Sequence, residues 1–169
     1  MSSEALSGHL EPVTSDGFRR ACGRFATGVS IATVLDASGA PHGLTVSSFT
    51  SVSLNPPLIL ICLGHKVTVI DAFRSAHFFG INVLGDGQQE LSQRFARRGA
   101  DRFDGLTWKA GDSGVPLIPG VLATMECRVY QRFLSGDHDI LVGEMVRSHA
   151  VDGDPLIHFA GAYRTLERA

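Results

Sequence analysis

One stretch restricts the fold more than any other. Residues 43–57 read Gly-Leu-Thr-Val-Ser-Ser-Phe-Thr-Ser-Val-Ser-Leu-Asn-Pro-Pro. Leu44, Val46, Val52 and Leu54 share one parity, the period of a half-buried strand; Thr45, Ser47, Phe49, Ser51 and Ser53 share the other. The apolar phase fails in the middle, where Ser48 and Thr50 stand at core positions. A hydroxyl in a core costs free energy unless it is bonded. Two partners stay open: the backbone of a bend or bulge, or a polar planar ligand lying along the strand. Asn55-Pro56-Pro57 then stops the strand, because proline cannot donate to a ladder. The next run, Leu58-Ile-Leu-Ile-Cys-Leu63, is apolar on both faces and reads as a central strand.

The remaining pattern extends a β-rich chain. Asp16 is placed to cap a short helix whose Phe18, Cys22 and Phe25 share one face, ending at Gly28. Val29 to Leu35 reads as a strand and Asp36 to Gly39 as a turn. Val67 to His77 reads as a helix with Val69, Ile70 and Phe73 inward, Phe78 to Leu84 as a strand, and Gln88 to Arg98 as a helix with Leu91 and Phe95 on one face. Gly99 to Gly120 is a long connection carrying the single tryptophan, Trp108. Val121 to Phe133 alternates, Gly136-Asp137-His138 turns, Ile140 to Val151 returns, and Leu156 to Leu166 closes the set. About seven strands with short turns and no βαβ alternation predict a mainly β barrel or sandwich with peripheral helices. Residues 1–15 read as a loose tail and 16–169 as one domain.

Composition excludes several classes. Of 169 residues, 19% are charged and the net charge is −2 with signs mixed, so no basic field points to nucleic acid or an anionic membrane. The longest apolar run is far short of the ~20 residues that span a bilayer. The N-terminal residues lack a basic segment ahead of an apolar one, against a signal peptide. Cys22, Cys62 and Cys127 are odd in number and far apart, which fits a reducing cytoplasm rather than a disulfide or zinc framework. No GxGxxG, P-loop, GxSxG or HExxH motif occurs. Asp137-His138-Asp139 approaches a ligand cluster but lacks the further donors a metal requires.

Two constellations remain. The hydroxyl stretch meets Cys62-Leu-Gly-His-Lys-Val-Thr68, where a buried strand empties into a helix start bearing Lys66 and Thr68. That arrangement suits a phosphate; equally, Thr68 caps the helix and Lys66 is solvated. The second joins Gly136-Asp137-His138 to the last strand, in which Gly161 permits close approach and Phe159 or Tyr163 offers a stacking face. A cross-strand aromatic pair in the core is the alternative there.

Several short motifs together resemble the short-chain flavin reductases, the components that feed reduced flavin to two-component monooxygenases. They are Phe25-Ala-Thr-Gly-Val29, Pro41-His-Gly-Leu-Thr-Val-Ser-Ser-Phe49, Ser53-Leu-Asn-Pro-Pro57, Phe79-Gly-Ile-Asn-Val-Leu84, Leu91-Ser-x-x-Phe95, Gly136-Asp-His138 and Gly161-x-Tyr163. The resemblance implies a flavin-binding split β-barrel of Greek-key type, a homodimer, FMN or FAD as flavin, NADH or NADPH as electron donor, and a monooxygenase partner. By the same resemblance, Thr45, Val46, Ser47 and Ser48 bond the flavin ring and ribityl chain. Cys62, Leu63, Lys66 and Thr68 line the ring and hold the phosphate, and Arg94 and Phe95 touch the far part of the cofactor. His138, Phe159, Gly161 and Tyr163 frame the nicotinamide, with His138 orienting it. Family members often carry arginine before the glycine of the last motif; Ala160 stands there in this chain. The same barrel also occurs in proteins that hold flavin without reductase turnover, and a non-catalytic interaction subunit is a further alternative.

Overall fold

The computed structural model describes residues 11–99 and 101–166; the first ten residues of the expected tail lie outside them. In chain order the elements are helix α1 (Ser15–Cys22) and strands β1 (Thr27–Gly28), β2 (Ser30–Leu35), β3 (Pro41–Val46), β4 (Thr50–Leu54) and β5 (Pro57–Gly64). Helix α2 (Ile70–Ser75), strand β6 (Phe78–Val83), helix α3 (Gln89–Ala96), and the short strands β7 (Lys109–Ala110) and β8 (Pro116–Leu117) follow. The long strands β9 (Ala123–Ser135) and β10 (His138–Ala150) then lead to β11 (Ile157–Phe159) and β12 (Ala162–Arg164).

Seven strands form one antiparallel sheet in the order β3-β2-β6-β9-β10-β5-β4. The sheet curls until its β3 side lies beside β5. Leu44 and Val46 of β3 share the barrel core with Ile59, Ile61 and Leu63 of β5 and with Phe73, Phe79 and Leu141. Where the ladder is missing between β3 and β5, the Ser48 hydroxyl bridges it, accepting from the Cys62 amide at 2.9 Å and lying 3.3 Å from the Cys62 carbonyl oxygen. The fold is thus mainly β, a barrel split along one seam.

A second core lies on the other face of β2, where Val29, Ile31, Leu84, Phe95, Phe103, Ile118, Val121 and Leu156 meet. β2 is therefore buried on both faces, Ala32 and Val34 entering one core and Ile31 the other. β5 is not the doubly buried strand its composition suggests: Ile59, Ile61 and Leu63 are buried, but Leu60 and Cys62 only half so. Small residues let β2 lie between two layers. Its Thr33 hydroxyl donates to the Pro116 carbonyl, and Asn82 bonds the Ile31 carbonyl, Thr33 and the Ile118 amide, which fixes the 111–118 connection.

The first long strand of the sequence reading breaks in two. The chain leaves β3 at Val46, bends through Ser47–Phe49 and restarts as β4 with its phase changed. Phe49 packs against the barrel core, whereas Val52 and Leu54 are 48% and 96% exposed on an edge strand. Helix α1 is capped by Thr14, whose hydroxyl accepts from the Gly17 amide, and Asp16 lies in its first turn. The helix ends at Cys22, and none of its residues is buried. Helix α2 is shorter than the pattern predicts and begins only at Ile70. Gly161 lies not inside a strand but in a two-residue turn, where Ala160 and Gly161 have φ of 50° and 79°. Positive φ at both positions is the requirement of a tight hairpin turn.

Candidate functional site

The seam between β3 and β5 gathers most of the expected flavin residues. β4 pairs with β5 only over Pro57–Leu60, so past Leu60 the outer edge of β5 carries no strand. Ser48 reaches this edge at Cys62. On its other side β5 pairs with β10, placing His138 opposite Gly64. A β-carbon on Gly64 would sit 3.4 Å from the His138 Nε2, an ordinary contact distance, so the imidazole lies directly against the end of β5. The chain then turns through Lys66 and Thr68, both exposed.

The polar partners of His138 come from the β9–β10 hairpin. Its Nδ1 is 2.7 Å from the Asp137 carboxylate, which turns the ring and holds the Asp137 carboxyl below the usual carboxylate range. The next residue faces the opposite way, as strand alternation requires. Asp139 is buried, bonds Arg74 Nε at 2.7 Å and His65 Nε2 at 2.8 Å, and is held below the ordinary carboxylate range chiefly by the Arg74 bond. The His65 amide donates to the Asp137 carbonyl. Together these bonds clamp the turn carrying Lys66 to the hairpin carrying His138. The sequence reading weighed Asp139 only as a member of a ligand cluster with Asp137 and His138 and gave no role to His65 or Arg74; the signal for its inward ion pair was the strand alternation, one acid outward and one inward.

The other expected residues are distributed differently. Thr45 donates to the Ser92 carbonyl at 2.6 Å, and the Ser92 hydroxyl lies 2.8 Å from the Tyr163 hydroxyl. Tyr163 packs on the second core and stands edge-on to His158 at 5.7 Å. Among the described residues, no hydrogen bond joins the Phe159–Gly161–Tyr163 hairpin to His138. The expected nicotinamide set therefore divides between the seam and the second core. Leu63 and Phe95 have 2% and 0% of their surface exposed, so their side chains have almost no surface to offer a ligand. The Arg94 guanidinium is bonded to the carbonyls of Arg102 and Asp104. Thr68 does not cap α2, whose cap residue is Val69 without a side-chain bond. Ser47 is exposed at the bend.

The donor set fits a flavin: hydroxyls and main-chain groups along one edge for a planar polar ring, and an ammonium and a hydroxyl at its end for a phosphate. Burial pushes the Cys127 thiol up to about 12, so that cysteine is an inert core residue.

Comparison with known proteins agrees with this geometry. The family model described as flavin reductase like domain matches residues 22–167. An FMN reductase (NADH), SmoA, of Agrobacterium fabrum is 46% identical over 154 residues, covering 91% of this chain and 87% of that one. The reductase component of a 4-nitrophenol 4-monooxygenase/4-nitrocatechol 2-monooxygenase from Rhodococcus opacus is 38% identical, covering 91% and 82%. Among solved structures, the Streptomyces globisporus NADH:FAD oxidoreductase SgcE6, in complex with NAD and FAD fragments, superposes with a TM-score of 0.85 at 35% identity, covering 94% and 98%. With the split barrel, its hydroxyl-lined seam and a family match over most of its length, this chain belongs to the flavin reductase-like domain family.

Proposed function

We propose that this chain is an NAD(P)H-dependent flavin reductase that binds FMN or FAD along the β3–β5 seam and passes reduced flavin to a separate monooxygenase. The observation that carries this reading is the edge of β5 past the end of β4, bridged by Ser48 and flanked by His138 over Gly64. A bound flavin supplies a ring that accepts hydride from a stacked dihydronicotinamide, and holding the two rings ~3–3.5 Å apart provides most of the rate. Residues 45–48 bond the ring edge, Cys62 lines it, and Lys66 and Thr68 hold the phosphate. His138, turned by Asp137, orients the nicotinamide. No proton has to be abstracted from carbon, so no general base is required.

The functional unit is taken as residues 16–169 and works as a homodimer. Phe18 on helix α1 and Phe25 just beyond its end, 63% and 77% exposed, support this, since apolar side chains left in water stabilise a fold when a partner surface buries them. The divided nicotinamide set agrees: in a dimer the Phe159–Tyr163 hairpin of one subunit is free to face the His138 of the other. No described helix is long and apolar enough to cross a membrane. The three free thiols suit a reducing cytoplasm.

The test is the purified protein with NADH or NADPH and added FMN or FAD, followed at the nicotinamide absorbance. Turnover that requires flavin supports the reductase; a yellow protein without turnover, or a colourless inert one, overturns it. In His138→Ala, flavin reduction slows at least tenfold with unchanged thermal stability and flavin affinity. Unchanged stopped-flow kinetics would remove His138 from the site.

A further inference from the structure

Residues 65–69 join the end of β5 to helix α2 and carry Lys66 and Thr68. The loop is tied at two places to one carboxylate. Where it starts, the His65 Nε2 lies 2.8 Å from Asp139 Oδ1. Beyond it, Arg74 of α2 donates through Nε to Asp139 Oδ2 at 2.7 Å and through Nη2 to Oδ1 at 3.3 Å. Both oxygens of a buried acid are thereby occupied, which such a charge requires if burial is not to destabilise the fold. Arg132 of β9 lines the same recess, but its guanidinium donates to the Phe73 and Ala76 carbonyls.

The loop depends on this anchoring. Helix α2 has six residues and no side-chain cap, too short to hold itself in place. Lys66 and Thr68 are exposed, and among the described residues no hydrogen bond or ion pair holds the Lys66 ammonium or the Thr68 hydroxyl. A lysine side chain is flexible, so what the fold can set in advance is where its backbone stands. A loop fixed before a ligand arrives has less freedom to lose on binding.

Resting on the reading of Lys66 and Thr68 as phosphate holders, we propose that His65, Asp139 and Arg74 are positioning residues for the flavin phosphate. They fix the 65–69 loop and so set how strongly the protein prefers a phosphorylated flavin to one without phosphate. None of the three is placed against the flavin; they act through the backbone of the loop. Asp139 faces away from its neighbour His138, as adjacent strand residues do, which leaves the ring end of the site outside this network. Riboflavin, with the ring and ribityl chain but no phosphate, is therefore the internal control.

The test is flavin fluorescence titration of the full chain with FMN and with riboflavin, in the absence of NADH and NADPH. The unsubstituted protein is expected to bind FMN roughly tenfold more tightly than riboflavin, or better, through the charged contacts to phosphate. His65→Ala and Arg74→Ala should each bring the two ligands to within about threefold of one another. His65→Gln, whose side-chain amide can still donate to Asp139, should restore most of the preference. Both ligands are read on the same preparation, so a partly unfolded variant leaves the ratio of affinities unchanged. A preference that survives in both alanine variants, or that His65→Gln fails to restore, would overturn the positioning role and leave the flavin reading intact. Equal affinity for FMN and riboflavin in the unsubstituted protein would overturn the phosphate site, and this proposal with it. Binding of neither would overturn the flavin reading itself.

Discussion

Two strand junctions of the barrel are held by different means, one inside the sheet and one at its seam. At β9–β10, strands of thirteen residues each run side by side with a continuous register from Ser135↔His138 to Ala123↔Ala150, interrupted only by two bulges. At β3–β5 there is no ladder, and a serine hydroxyl substitutes for one. A backbone ladder satisfies its own donors and acceptors and leaves a ligand nothing to bond. The seam keeps those groups near the surface, stabilised by a single side chain. Stability is concentrated in the ladder, and the function proposed above puts flavin binding at the gap.

The strongest way to break this contrast is Gly143→Val. Gly143 follows a bulge in β10, and a β-carbon there would meet the Phe79 ring at 2.4 Å and the Cys127 β-carbon at 2.9 Å. Neither neighbour is the free end of a flexible chain, so overpacking is expected to cost about 3 kcal/mol. Chemical denaturation should show this loss, while the fraction that remains folded keeps its flavin affinity. A variant of full stability would mean that the ladder is looser than its register implies.

Ser48→Ala attacks the other side. It leaves the half-buried Cys62 amide without its partner, an expected cost of about 1–2 kcal/mol. Flavin affinity should fall by a larger factor than stability alone explains, at least tenfold by fluorescence titration. If stability falls and affinity does not, the hydroxyl serves only the seam.

These positions also show how far the sequence could be read. The β-rich class, the helices, the hairpins and the importance of 43–57 followed from periodicity and turn residues, because those signals are local. The role of Ser48 did not. Its two open partners, backbone and ligand, are distinguished only when β5 arrives beside it, and that approach depends on the curl of the whole sheet. The same limit moved Val52 and Leu54 outward, since a bend at Ser47–Phe49 changes the strand phase. Phe95 and Arg94 look like site residues in a motif, yet they bind the second core to the 101–104 segment. Buried Glu126 was unreadable for a related reason: its carboxylate accepts from the Asp112 and Ser113 amides, thirteen or more residues away in the chain.

Acid sharpens the comparison further, because one ion pair locks the seam's turn to the hairpin. Asp139 is held below its ordinary value of 3.8 by Arg74 and His65. A carboxylate depressed in the folded state contributes stability that is complete above its unfolded pKa and is lost as pH falls below about 4. Asp139→Asn should therefore lower the melting temperature at pH 7 and leave a flatter curve between pH 4 and 2. Asp137→Asn, at an exposed carboxylate bonded to His138, should change that curve less. Equal effects at the two positions would remove the clamp from the account.

The smallest effect is expected at Ala160, the one described non-glycine residue with positive φ. An alanine in the left-handed region costs about 1–2 kcal/mol relative to an unstrained residue, while glycine adds unfolded-state entropy of roughly 0.5–1 kcal/mol. Ala160→Gly should thus gain only about 0.5 kcal/mol, or 1–2 °C in Tm for a chain of this size. Because the turn lies in the β11–β12 hairpin and not at the seam, FMN affinity should not move. A change in the KM for NADH with no change in Tm would instead show that this turn meets the nicotinamide, and would place the second core, along with the gap, in the working site.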